Sequence, residues 1–92
     1  MNSYDQILFL SVVINSLDSI ANGTTVLVKN IKASDLKVKL LEMGFCEGKK
    51  LRILYRAPFG DPMAIDIGGY VLSLRNEEAA HIEVEIIETL SE

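Results

Sequence analysis

Along the chain the apolar positions change period, and each change marks an element. Thr24-Thr25-Val26-Leu27-Val28 is a β-branched run after an Asn22-Gly23 turn, which predicts a first strand. Ser34 can cap a helix, with Asp35 placed in its first turn where a negative charge suits the dipole. Leu36, Leu40 and Met43 then share one helical face, which Leu41 and Phe45 widen. Gly44 stands where a left-handed C′ residue ends a helix, and Phe45 follows at C″, placed to fold back on Leu40. After the Cys46-Glu47-Gly48 turn the period becomes two. Leu51, Ile53 and Tyr55 are expected inside, with Lys50, Arg52 and Arg56 outside. Pro58-Phe59-Gly60-Asp61-Pro62 breaks that strand, because neither proline can donate to a ladder.

The segment that follows is the strongest structural signal. Met63-Ala64-Ile65-Asp66-Ile67 and Tyr70-Val71-Leu72-Ser73-Leu74 flank Gly68-Gly69, the pattern of a two-residue hairpin. Folding there sets Ile67 against Tyr70, Ile65 against Leu72 and Met63 against Leu74, so turn and apolar face agree on one register. Asn76 can cap a helical turn through Glu77, Glu78 and Ala79. Ile82, Val84 and Ile86 then alternate with Glu83 and Glu85 as a last strand, and residues 88–92 read as a frayed tail. The expected fold is mainly β, with about five short strands. One helix is inserted after the first strand, and a helical turn precedes the last. A small, partly open barrel is the economical way to hide the edges of such a sheet.

Ahead of this lies an apolar run, residues 7–14, with one polar residue in eight. It is far shorter than the ~20 residues of a membrane-spanning helix. Asp5 stands where a secretory signal carries a basic residue, so a cytosolic chain is expected. The run has to cover something. An isologous homodimer through residues 7–14 is one reading, and folding back on its own barrel is the other.

At 92 residues the chain is one small domain, and 49% hydrophobic content is too apolar for a disordered one. A single cysteine excludes an internal disulfide. The net charge of −4 hides an asymmetry: residues 1–35 carry −1, 36–58 carry +4 and 59–92 carry −7. Four net positive charges are thin for nucleic acid, so no nucleic-acid partner is expected. The basic centre is read as the solvated side of a strand before an acidic partner surface.

Four blocks then resemble a known family: Leu40-Leu41-Glu42-Met43-Gly44-Phe45-Cys46-Glu47-Gly48, Ala57-Pro58-Phe59-Gly60-Asp61-Pro62, Gly69-Tyr70-Val71-Leu72-Ser73-Leu74-Arg75 and Glu77-Glu78-Ala79. In this order and at these separations they are similar to FeoA, the small cytoplasmic proteins of bacterial ferrous iron uptake. The resemblance implies an SH3-like barrel over residues 17–87, with residues 1–16 as an apolar extension. It also implies an accessory role with FeoB, the membrane ferrous iron transporter with a GTPase domain, at the inner face of the membrane. The same domain occurs in DtxR-type metal-dependent repressors, which is the alternative reading beside a stand-alone metal-binding protein. A repressor needs a helix-turn-helix reader, and the chain holds one long helical pattern.

A fold alone carries no function, so the candidate chemistry lies in individual side chains. His81 with Glu77 and Glu78 four and three residues earlier could share a weakly bound divalent transition metal, the one cofactor these residues could take. Ordinary surface pairing accounts for them as well. Cys46 reads first as a small hydrophobe and second as a thiolate ligand. Phe59, Asp61 and Arg75 are the candidate partner contacts. Asp61 is expected to accept hydrogen bonds from the amides of its own turn. Gly44, Gly48, Pro58, Gly60, Pro62, Gly68 and Gly69 are assigned to turns. With Tyr55 and Tyr70 placed inside, Phe59 and Tyr4 are too few to line a proline-rich peptide groove. The chain lacks a phosphate-binding G-x-x-x-x-G-K-[ST] loop, and no nucleophile has a base partner nearby, so no enzyme is expected.

Overall fold

The structure, a computed structural model, describes residues 13–89. The apolar run at residues 7–14 therefore falls outside the described residues except for Val13 and Ile14, and the tail does so from residue 90. In chain order the elements are β1 (Ile14–Ser16), a 3-10 turn (Leu17–Ser19), β2 (Thr24–Ile31), helix α1 (Lys37–Glu42), β3 (Lys50–Arg56), β4 (Met63–Ile67), β5 (Tyr70–Leu74), helix α2 (Asn76–Ala79) and β6 (Ile82–Thr89). One antiparallel sheet of six strands runs β1-β6-β2-β3-β4-β5. The 3-10 turn follows one edge strand and α2 follows the other, yet the two elements pack together. The sheet is therefore rolled into an SH3-like, mainly β barrel that stays open between β1 and β5. Sequence periodicity anticipates about five strands. The sixth is β1, whose three residues pair with Glu83–Glu85 of β6. A segment this short has no period of its own, and Leu17 and Ile20 behind it are buried in the core. At the other end the backbone of β6 runs on through Thr89 opposite Thr24, into the stretch expected to fray.

Helix α1 ends as its sequence predicts. The Phe45 N–H donates to Leu40 O at 3.1 Å and the Gly44 N–H to Leu41 O at 3.0 Å, the paired bonds of a Schellman motif. Gly44 has φ +106°, and a Cβ there would meet Ile67 Cδ1 at 3.2 Å, so backbone and space both call for glycine. Leu40 and Phe45 are fully buried, whereas Leu41 is largely exposed. Ser34 acts one turn before the helix proper, its Oγ accepting the Leu36 N–H at 3.2 Å.

The β4–β5 hairpin has the predicted register, with Ile67 opposite Tyr70, Ile65 opposite Leu72 and Met63 opposite Leu74. Gly68 and Gly69 both have positive φ, as a type I′ turn requires. The Asp66 carboxylate accepts the Gly69 N–H at 3.1 Å. Burial along the core-facing side falls from Leu74 to the tip, where Tyr70 is 61% exposed. The expectation that Tyr70 points inward is corrected: it shares the face of Ile67 but lies beyond the end of the core.

A second correction has a different cause. β3 carries an irregularity between Ile53 and Tyr55, so that Ile53 opposes Ile65 while Tyr55 opposes Ala64. The bulge at Leu54 reverses the faces beyond it. Tyr55 turns out to solvent, 59% exposed. Arg56, expected on the outer face, turns in. Its guanidinium donates to Asp18 O at 3.1 Å, Ile20 O at 2.7 Å and Asn22 Oδ1 at 2.6 Å, tying β3 to the chain that leaves β1. Tyr55 and Tyr70 thus stand on opposite faces of the sheet and form no common aromatic groove.

Candidate functional site

The turn between β3 and β4 is closed on itself and then tied to a distant element. Ala57 N–H donates to Pro62 O at 3.0 Å, and Gly60 N–H to Ala57 O at 2.7 Å. Asp61 does not brace this turn through its own amides, as its sequence position suggested. Its Oδ1 accepts the Asn76 N–H at 2.9 Å, fifteen residues away, while Asn76 Nδ2 donates to Gly60 O at 2.9 Å. Asn76 is the first residue of α2 and Arg75 its N-cap, one residue earlier than predicted. Asp61 therefore satisfies one of the helix's opening N–H groups from outside the helix. Phe59 and Arg75 adjoin the two bonded residues and leave the barrel at the same end, both exposed. Phe59 is 100% exposed.

Removing this tie leaves the Asn76 N–H to water. Asp61→Ala is expected to lower stability by about 1 kcal/mol. For a domain of this size that corresponds to a fall in melting temperature of about 4–8 °C. Thermal unfolding followed by circular dichroism checks it.

α2 is secured a second time by Glu78, whose residue is 8% exposed. Its Oε1 accepts the Arg75 N–H at 3.0 Å, the return half of a capping box. Its Oε2 accepts from Lys39 Nζ of α1 at 2.6 Å. The Lys39 hydrogen bond, then the Arg75 N–H, hold the Glu78 carboxyl below the usual carboxylate range, against the opposing effect of burial. A carboxyl with a lowered folded value stabilises fully above its unfolded value of about 4.3, and that stabilisation is lost as pH falls towards the folded value. Glu78→Gln is therefore expected to be less stable than wild type at pH 7, and the difference in melting temperature should shrink as pH falls below the unfolded value of about 4.3.

The residues considered for a metal are already engaged or apart. Glu78 is taken up by Lys39 and Arg75. His81 Nδ1 lies 3.0 Å from the Glu77 carbonyl oxygen of its own helical turn. Cys46 is exposed in its turn, not packed as a small hydrophobe. Among the described residues no three His, Cys, Asp or Glu side chains come together to hold a metal ion. On the outer face of β2, β3 and β4, Thr25, Lys50, Arg52 and Asp66 line an open cleft of about 320 Å³ beside Gly68 and Gly69.

This end of the barrel thus presents an exposed aromatic, Phe59, on a turn tied by side-chain bonds to Asn76, which follows the exposed Arg75. Sequence reasoning named Phe59, Asp61 and Arg75, but missed Asn76 as Asp61's partner and Lys39 as Glu78's. Both partners are remote in sequence, and no local pattern signals them. Tyr70 was readable as a tip residue, since it directly follows the turn glycines.

Three comparisons bear on identity. The family model described as FeoA domain matches residues 15–86. A Fe(2+) transport protein A/Fe(2+) transporter FeoB fusion protein of Porphyromonas gingivalis is 49% identical over 49 residues, which is 53% of this chain and 6% of the fusion protein's length. The solution structure of a FeoA-like protein from Clostridium acetobutylicum is 32% identical with a TM-score of 0.80, covering 86% of this chain and 93% of that one. FeoA from Stenotrophomonas maltophilia, solved with zinc and described as a prokaryotic SH3 domain protein, is 24% identical with a TM-score of 0.66, over 76% of this chain and 88% of that one; at this identity it speaks to the fold.

Proposed function

The chain belongs to the FeoA domain family, and on that premise we propose that it is an accessory protein of bacterial ferrous iron uptake that docks on the cytoplasmic portion of a FeoB-type transporter. The observation that carries the docking role is the turn that presents Phe59. Phe59 is fully exposed on a turn whose backbone is pinned by Asp61 and Asn76, so a partner that buries the ring gains apolar area and has only the side chain left to order. Arg75 beside it supplies a charge that pairs with a carboxylate at the rim of the receiving pocket. The fusion relative supports the choice of partner. Joining two proteins in one chain holds them at high effective concentration, which is of use when they act on one another.

In this reading the chain performs no chemistry; it changes what its partner does by binding it. Ferrous iron uptake tests this in a bacterium that encodes the chain. Deletion should lower uptake of radiolabelled ferrous iron, and expression of the wild-type chain should restore it. Unimpaired uptake after deletion would overturn the accessory role.

A further inference from the structure

Thr25 of β2, Arg52 of β3 and Asp66 of β4 stand in one cross-strand row on the outer face of the sheet. One step along, Lys50 faces Leu27 of β2, and the β3–β4 register carried one residue further sets it opposite Gly68. Gly68 has no side chain, so the surface dips there, and the cleft of about 320 Å³ lies between that row and the hairpin tip. This is the lower end of the size range of small-molecule sites. Lys50 and Arg52 alternate with buried Leu51 and Ile53, so both side chains leave β3 on this face. Lys49 closes the tip, its Nζ 3.4 Å from where a Cβ on Gly68 would stand. Three cations thus surround one hollow. The chain has thirteen acidic against nine basic residues, yet it does not neutralise them. None of Lys49, Lys50 and Arg52 has a carboxylate within 4.0 Å among the described residues. The described acids of this face are committed elsewhere. Asp66 Oδ1 accepts the Gly69 N–H at 3.1 Å, Glu85 pairs with Lys29 at 3.5 Å, and Glu83 accepts from Asn30 Nδ2 at 3.0 Å.

We propose that this cleft binds a phosphate-bearing small ligand with two or more negative charges, such as a diphosphate. A monovalent anion answers only one of the three cations. Side chains two residues apart on a strand rise ~7 Å apart, a span that two linked phosphates bridge, so one ligand meets Arg52 and Lys50 together. The Arg52 guanidinium offers a planar fork that fits two phosphate oxygens, and the lysines add point charges. The Thr25 hydroxyl can donate to a further oxygen. Asp66 opposes the ligand with one negative charge, against three positive ones. Diphosphates of this kind occur on soluble molecules and on lipid headgroups, and the chemistry of the cleft is the same for both. The inference is independent of the transporter, which its test leaves out.

The test is titration of the isotopically labelled full chain with inorganic pyrophosphate at constant ionic strength, read by amide chemical shifts. Saturable shifts are expected at Thr25, Lys50, Arg52, Gly68 and Gly69, with inorganic monophosphate binding at least tenfold more weakly. Arg52→Ala should weaken pyrophosphate binding at least tenfold. Lys37→Ala removes the same charge from an exposed position on α1 that does not line the cleft, and should change binding less than twofold. Asp66→Asn keeps an acceptor for the Gly69 N–H but removes the opposing charge, so it should tighten binding at least threefold. Flotation with phosphatidylcholine vesicles, with and without cardiolipin, separates the two sources. Capture by cardiolipin vesicles that pyrophosphate reverses assigns the site to a headgroup, and pyrophosphate binding without capture assigns it to a soluble ligand. The proposal is overturned if pyrophosphate at millimolar concentration shifts no amide of the cleft, or if monophosphate binds as well. It is equally overturned if Lys37→Ala weakens binding as much as Arg52→Ala. Binding seen only in Glu88→Gln would also overturn it, because Glu88 stands opposite Thr25 in register and its carboxylate would then be the occupant.

Discussion

Phe45→Ala should destabilise this protein more than any change at its surface, by about 3–5 kcal/mol. The ring is fully buried, and its backbone N–H closes the Schellman motif that ends α1. Substitution therefore opens a cavity in the buried cluster that Phe45 shares with Leu40 of α1, while the backbone bond of the Schellman motif remains. Total stability for a domain of this size is about 5–15 kcal/mol, so the variant should be partly unfolded at modest temperature. Urea unfolding followed by circular dichroism measures it, and Phe45→Leu, which keeps most of the volume, should lose clearly less. A loss below about 1 kcal/mol for alanine would mean that the site collapses around the missing ring and that Phe45 does not anchor the helix.

The second large effect is on binding. Phe59→Ala should leave the melting temperature unchanged, because a fully exposed side chain makes no native contact to lose. Affinity for the transporter's cytoplasmic portion should nonetheless fall by roughly 30- to 1000-fold, the 2–4 kcal/mol typical of a buried aromatic anchor. Asp61→Ala provides the contrast. It leaves Phe59 in place but loosens the turn, so it should cost both stability and affinity, each to a smaller extent. Calorimetric titration of the three chains separates the two roles. Unchanged affinity in Phe59→Ala would move the docking surface elsewhere on the barrel.

Sequence patterns foretold the parts of the fold that are determined locally. Gly68-Gly69 and the alternation on either side name the hairpin and its register without reference to anything distant. Gly44 and Phe45 likewise mark the end of α1. What was illegible depends on long-range partners. Leu51, Ile53 and Tyr55 alternate without a glycine or proline to announce the bulge at Leu54, so the strand reads as regular and the faces of Tyr55 and Arg56 come out reversed. Arg56 turns inward because three acceptors, Asp18 O, Ile20 O and Asn22 Oδ1, wait there. Those acceptors exist only after β1 and its 3-10 turn have closed over the barrel. For the same reason the candidate site was named in part. Asp61 and Arg75 could be picked out as unusual at a turn and a hairpin exit, but the bonds from Asn76 that bring them to one end span fifteen and sixteen residues.

The proposed role requires this chain to associate with a FeoB-type transporter. The most direct measurement is calorimetric or sedimentation titration of the full chain with the purified cytoplasmic portion of the transporter from the same organism, with GDP, with a non-hydrolysable GTP analogue and without nucleotide. A saturable one-to-one complex in at least one of these states, weakened by Phe59→Ala, is the expected result. No complex in any nucleotide state, with both proteins folded and at high micromolar concentration, would contradict it.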